Sequence, residues 1–374
     1  MKVLHFFKTS FPDSMGGTEQ VIHQLASGCG KFGVDIEVLS LSSGSDTSTL
    51  HSGGYLTHRA KLNFEIASTG FSISAFTKFA NLAKQFDVIH YHFPWPFMDL
   101  VHFATGINKP TVVTYHSDIV RQKSLLKLYQ PLKKRFLASV DSIVATSPNY
   151  FATSDVLARF SDKVTVIPIG IDKATYQTPS SVLVENWRSK FSGRFFLFVG
   201  MLRYYKGLHI LLDALRGMNY PVVIIGSGPV ETELKEHAAR LGLQHVHFLG
   251  ALPDVDKVVL LQLCYAVVFP SHLRSEAFGI SLLEGAMFGK PMISSEIGTG
   301  TTFINIAGET GLVVPPSNPE ALREAMKYLW NHPDVAAEMG KRAEVRYWTH
   351  FTAEKMCEEY SNLYQKVLAS SAKV

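Results

Sequence analysis

Two successive runs of short apolar strands, each alternating with helical stretches, constrain this chain more than any other feature. The first opens with MKVLHFF and a loop, KTSFPDSMGG, leading into a helix near Thr18 with apolar positions at Val21, Ile22 and Leu25. Further strands are expected at Ile36 to Leu39, Asp87 to His90, Thr111 to Tyr115, Ser142 to Ala145 and Val164 to Ile167. From Gly170 to Arg194 the pattern lapses into polar, irregular text, and RFFLFVG then begins the second run. Its strands are expected at Phe195 to Val199, Val222 to Ile225, His245 to Phe248, Ala266 to Phe269, Pro291 to Ser294 and Leu312 to Val314. Such alternation argues for an α/β chain of two doubly wound, Rossmann-like domains with parallel sheets. Open sheets of this type take ligands beyond the carboxyl ends of their strands, so a central cleft between the two domains is the expected site.

A chain of 374 residues, 46% apolar and 18% charged, is long enough for two cores. Its net charge of +4 is too mild to argue for nucleic acid, and the excess sits in the first 180 residues, with 17 basic against 13 acidic side chains. Cys29, Cys264 and Cys357 lie far apart with no CxxC pair, so neither a zinc site nor a disulfide framework is indicated. The longest apolar run, Val258 to Phe269, is broken by Gln262 and too short to span a bilayer. No leader-like stretch precedes the first strand, so the expected location is cytoplasmic, extending to the inner face of the cytoplasmic membrane. A segment that would suit an anionic membrane is Arg121 to Arg135, with six basic residues interleaved with Leu125, Leu126, Leu128, Tyr129 and Leu132. A solvated helix face accounts for it equally well.

The chemistry concentrates in SEAFGISLLEGAMFG, Ser275 to Gly289. Glu276 is expected in a loop and Glu284 inside a helix that begins near Phe278, Gly279 and Ile280. The free N–H groups of that helix end form an anion site, which Gly279 allows a phosphate to approach closely. Eight residues at helical rise span at most roughly 12 Å, comparable to the distance from a sugar hydroxyl across a diphosphate to a ribose. Arg203 and Lys206, in GMLRYYKG, follow a strand and suit the charge that builds on a departing diphosphate. GSGP, with Gly226, ends another strand and can pass a backbone edge to a base or ribose. In the first run, Gly16 and Gly17 open the helix after the first strand, without the G-x-G-x-x-G spacing of a dinucleotide site. Glu19 follows, able to steady that helix end. His116 lies just beyond Thr111 to Tyr115, where it can bond a sugar hydroxyl, with Asp118 to orient it or to help deprotonate an acceptor. His90 and His92 have the spacing of metal ligands, but no third ligand sits at a familiar interval, and His92 is read instead as a wall of the acceptor cleft. Asp254 and Asp256 follow Pro253, where acidic residues favour a helix start over a metal site.

Together these segments resemble the retaining family-4 glycosyltransferases of the GT-B fold, whose landmarks fall in order over nearly the whole chain. The resemblance implies Glu276 on the donor sugar's hydroxyls, Glu284 on the ribose, and His116 near the reacting end of the donor. It implies Arg203 and Lys206 on the diphosphate, the glycines Gly16 and Gly17 nearby, and no catalytic metal or other cofactor. It also implies that the helix from about Phe351 to Leu368 crosses back, giving a first, acceptor-side domain of residues 1–172 plus 351–374 and a second, nucleotide-sugar domain of 173–350. KTSFPDSMGGTEQ and SSEIGTGT are most similar to mannosyltransferases of bacterial O-antigen and surface-polysaccharide assembly. They imply GDP-mannose as donor and a lipid-linked glycan as acceptor. A UDP-sugar donor, or a non-catalytic partner that binds nucleotide-sugar or glycan, is the alternative.

Overall fold

Strands buried on both faces need continuous apolar runs, and FLFV, VVII and AVVF supply them for one sheet as VLHF, VIHYHF and TVVTY do for another. The computed structural model describes residues 1–371 except 15, 45–48, 67–68 and 120–122. It divides the chain into two units, Met1–Ile171 with Thr352–Val374, and Asp172–Phe351.

In the first unit the strands are β1 (Lys2–Phe6), β2 (Asp35–Ser42), β3 (Leu50–Ser52), β4 (Tyr55–Lys61), β5 (Phe64–Ile66), β6 (Thr69–Phe71), β7 (Val88–Phe93), β8 (Thr111–Tyr115), β9 (Ser142–Ala145) and β10 (Val164–Val166). Eight of them form one sheet in the order β10-β9-β8-β7-β1-β2-β4-β3, parallel except for the pairing of β3 with β4, while β5 and β6 make a separate antiparallel pair. The helix α1 (Gly17–Gly28) follows β1, and α2 (Lys123–Ser139) follows β8. The final helix of the chain, Ala353–Ser371, also belongs to this unit and packs on α1. The short strands β3 to β6 went unforeseen because none is an apolar run: YLTHRAK, in β4, mixes polar and apolar residues, and β4 stands one strand in from the sheet edge.

The second unit holds β11 (Phe196–Val199), β12 (Val222–Ile225), β13 (Val246–Gly250), β14 (Ala266–Phe269), β15 (Met292–Ser295) and β16 (Gly311–Val314), all parallel, in the order β13-β12-β11-β14-β15-β16. The order reverses between β11 and β14, and that switch point is where an open sheet leaves a crevice for a ligand. Phe196, Phe198, Val222, Ile224 and Val268 form part of its core with Leu211 and Met326 from covering helices. The helices of this unit include α3 (Ser181–Lys190), α4 (Leu208–Ala214), α5 (Asp254–Leu263) and α6 (Ile280–Met287). The stretch read as irregular up to Arg194 contains α3, whose start is capped by Ser180 accepting from the Leu183 amide. Its apolar face is too slight to announce a helix, and none of its residues is buried.

Candidate functional site

The loops leaving β11 and β14 bring most of the second unit's expected residues to the switch point. After β11, a turn of 3₁₀ helix at Tyr204–Lys206 ends at Gly207, which starts α4 with φ of 70°. A Cβ on Gly207 would meet the Pro270 carbonyl oxygen at 2.0 Å, so the two loops press together only because glycine stands there. Lys206 pairs with Glu276 Oε2, and Ser271 Oγ donates to the same oxygen at 3.2 Å. Both charged side chains of that pair are 11% exposed. Glu276 Oε1 carries no hydrogen bond among the described residues.

The chain then reaches Phe278, which is buried, and Gly279, the N-cap of α6 with φ of 101° and ψ of 68°. No side chain caps this helix, so its first amides stay open to a ligand. Ile280 is the first helical residue. Glu284, four residues on, is 3% exposed; its Oε1 accepts from Lys257 Nζ at 2.8 Å and from Tyr176 Oη at 3.0 Å. Burial alone would lower the Lys257 pKa, but Glu284 and then Asp254, 3.0 Å away, push it up to about 12. Burial first, and Glu284 second, hold the Tyr176 hydroxyl well above its usual range. Glu284 Oε2 has no partner among the described residues. Each glutamate therefore has one oxygen engaged by a lysine and a hydroxyl and the other left to accept.

Arg203 is not brought into either pair. Its side chain is exposed, its Nε donates to Met201 Sδ at 2.9 Å, and it lines a cavity of about 350 Å³ with Tyr204, His209, Asp213, His237 and Arg240. Gly226, at φ of 130°, has a packing reason of its own: a Cβ there would lie 2.0 Å from the Gly200 carbonyl oxygen. Asp254 and Asp256 do occupy the first turn of α5, with Asp256 accepting from Trp187 Nε1 at 2.7 Å.

In the first unit Gly16 is the N-cap of α1 and Gly17 its first residue. Glu19 is buried and takes hydrogen bonds from Thr9 Oγ1 at 2.5 Å and Ser14 Oγ at 3.4 Å, tying the loop to the helix start. His116 follows β8 and is 9% exposed. Its Nε2 contacts His92 Nδ1 at 2.9 Å, and burial lowers its pKa to about 3, so the ring is neutral.

Two expectations give way here. His92 forms no wall of a cleft: it is 0% exposed, held between His116 and His5, because alternate residues of β7 point into a layer that the final helix covers. Asp118 Oδ1 accepts from Tyr115 Oη at 2.8 Å and from Ser154 Oγ at 3.2 Å. A third imidazole does stand beside His90 and His92: His5, Cα partner of His90 across β1 and β7, which no spacing along the sequence reveals. Nitrogens of these three rings lie within 4.8 Å of one another, a set that could hold a metal ion. In the basic segment, Lys133 is buried, and burial lowers its pKa, so it offers nothing to a lipid surface. Residues 120–122 lie outside the described residues, Lys127, Lys134 and Arg135 are exposed, and Leu128 is 81% exposed. Among the described residues, no helix is long and apolar enough to cross a membrane. Sequence reasoning missed Lys257, Tyr176, His5 and Tyr364, which reach their partners from distant positions, and Ser271, which stands only five residues before Glu276.

Residues 15–175 match the family described as Glycosyltransferase Family 4, and residues 184–346 that described as Glycosyl transferases group 1. Over 353 residues, 94% of this chain and 93% of the relative, the sequence is 64% identical to D-rhamnosyltransferase WbpZ of Pseudomonas aeruginosa. It is 51% identical, over all of both chains, to O-antigen chain mannosyltransferase C of Escherichia coli. Among solved structures, sucrose-phosphate synthase from Thermosynechococcus elongatus superposes with a TM-score of 0.81 at 21% identity, covering 99% of each chain. HepE of Anabaena, in complex with UDP-glucose, gives 0.78 at 20% identity, covering 98% of this chain and 100% of that one.

Proposed function

From the premise that this chain belongs to the family-4 glycosyltransferases and has their GT-B fold, we propose that it moves a mannose from GDP-mannose to a sugar hydroxyl of a lipid-linked O-antigen glycan, with retention at the anomeric carbon. The observation that carries this reading is the matched pair of half-engaged carboxylates, Glu276 and Glu284, on either side of the open amino end of α6. A diphosphate at that end would draw Lys206 across from Glu276, which then turns to the donor sugar's hydroxyls, while Glu284 receives the ribose. Lys206, Arg203 and the α6 amides stabilise the negative charge that grows as the bond from the anomeric carbon to the diphosphate breaks. The bond to the acceptor oxygen forms on the same face, and the acceptor's proton passes to the departing phosphate oxygen. Residues 1–172 with 351–374 carry the acceptor side and residues 173–350 the nucleotide-sugar side. His116 and the Gly16–Gly17 loop attend the reacting sugar, and no metal or other cofactor takes part. Lys127, Leu128 and Lys134 give peripheral contact with an anionic membrane from the cytoplasmic side.

A second donor is favoured by the 64% identity to a D-rhamnosyltransferase. D-Rhamnose is mannose without its 6-hydroxyl, so the two donors offer the same ring hydroxyls to Glu276 and differ at one carbon. Incubation with GDP-mannose, GDP-D-rhamnose and UDP-glucose in turn, with a lipid-linked acceptor, followed by nucleotide release and the anomeric coupling of the product, tests the proposal. Turnover of UDP-glucose alone, or a product of inverted configuration, refutes it.

A further inference from the structure

Behind His116 the first unit buries a string of rings that the proposed chemistry does not touch. His116 Nε2 lies 2.9 Å from His92 Nδ1, and His92 Nε2 lies 2.9 Å from His5 Nδ1. His5 Nε2 is 3.2 Å from Tyr364 Oη and also 3.2 Å from His90 Nδ1. Tyr364, on the final helix, stands 2.6 Å from His90 Nδ1, and His90 Nε2 is 2.7 Å from Thr114 Oγ1, itself 2.7 Å from Tyr360 Oη. All four imidazoles are buried, and burial holds each below its ordinary pKa, His5 and His116 at about 3.

A neutral imidazole has one N–H to give and one lone pair to receive. In a head-to-tail string, the choice made by one ring therefore fixes the next. The end at Tyr364 makes that choice. Hydroxyl donors form shorter bonds than ring N–H donors, so the 2.6 Å contact reads as Tyr364 donating to His90 Nδ1 and the 3.2 Å contact as His5 Nε2–H donating to Tyr364. His5 Nδ1 must then accept from His92 Nε2–H, and His92 Nδ1 from His116 Nε2–H. What remains at the outer end is His116 Nδ1, without a hydrogen or a partner among the described residues.

We propose that Tyr364, His5 and His92 are positioning residues that hold His116 in its Nε2–H tautomer, leaving Nδ1 as a bare acceptor for a hydroxyl of the reacting sugar. The sugar contact rests on the function proposed above; the tautomer does not. The same arrangement explains why β1 and β7 carry histidines in their otherwise apolar text: each side chain is a link whose polarity is set from the far side of the sheet.

Long-range proton–nitrogen NMR of the full chain with 15N-labelled histidine, assigned by comparison with His116→Gln, reads the tautomer directly. The unmodified protein is expected to show His116 protonated at Nε2 and not at Nδ1. Tyr364→Phe removes the hydroxyl that sets the direction and is expected to give averaged His116 signals and about a twofold fall in kcat with donor KM unchanged. A proton on His116 Nδ1 in the unmodified protein, unchanged tautomers in Tyr364→Phe, or zinc ions taken up on His5, His90 and His92 in place of the hydrogen-bonded signals would overturn the proposal. A locked Nε2–H tautomer with undiminished turnover in His116→Gln would leave the string standing and refute the sugar contact instead.

Discussion

Around His116 the first unit buries imidazoles and hydroxyls that share protons without net charge, whereas around Gly279 the second buries lysines and glutamates in ion pairs. The two arrangements answer different demands. A neutral string directs a lone pair and changes little when a ligand arrives. An ion pair is an exchangeable one: when a phosphate approaches, Lys206 can trade one oxygen anion for another without ever being stranded. The difference teaches that a single chain can furnish its two units by opposite means, one fixing direction and the other storing charge.

The sharpest way to break the comparison is to remove one member of a buried pair. Glu284→Ala removes the buried partner of Lys257 and leaves it only Asp254, 3.0 Å away, so the expected cost in denaturant unfolding is about 3 kcal/mol, the low end for breaking a buried pair. Adding Lys257→Met should recover most of the loss. No recovery would mean that the pair's charges are not what matters there. Next in size, Lys206→Ala is expected to lower kcat about 10²–10³-fold in nucleotide-release assays, an effect in line with losing one electrostatic contact to the transition state. An equal loss in donor KM with kcat intact would assign Lys206 to binding alone.

Acid should separate the two regions. His5 and His116 have folded-state values near 3 against 6.5 in the unfolded chain, so the unfolded chain binds more protons between those limits. Their contribution is intact above about pH 6.5 and is lost as the pH falls toward 3, at about 1.4 kcal/mol per ring for each pH unit. Hydrogen exchange at pH 5.5 against 7.5 should therefore show protection falling in β1 and β7 before β11 and β14. The reverse order would contradict neutral burial of the rings. The smallest expected effect is that of Gly279→Ala, about 1–2 kcal/mol of stability, since φ of 101° suits glycine alone. A variant as stable as the parent would show that the turn before α6 relaxes.

How far the sequence carried these conclusions depended on how local each signal was. The β11, β12 and β14 segments were plain because buried parallel strands are written as uninterrupted apolar runs, and Gly279 ahead of Ile280 announced a helix start. The strand β4 was hidden by its mixed, largely polar composition, one strand in from the sheet edge. His5 could not be paired with His90 because strand register joins residues 85 positions apart. For the same reason the partners of Glu284, Lys257 and Tyr176, were invisible: they lie 27 and 108 positions away and no periodicity links them. Glu276 and Lys206 could each be singled out, but not their contact, which depends on two loops meeting over Gly207.

The final helix belongs to the unit that begins the chain, with Tyr360 and Tyr364 set against β7 and β8. A ribosome therefore delivers the whole of Asp172–Phe351 before the segment that seals the amino-terminal sheet exists. The strands made before that unit are completed after it: until Thr352–Val374 has been made, His90 and Thr114 lack the hydroxyls of Tyr364 and Tyr360.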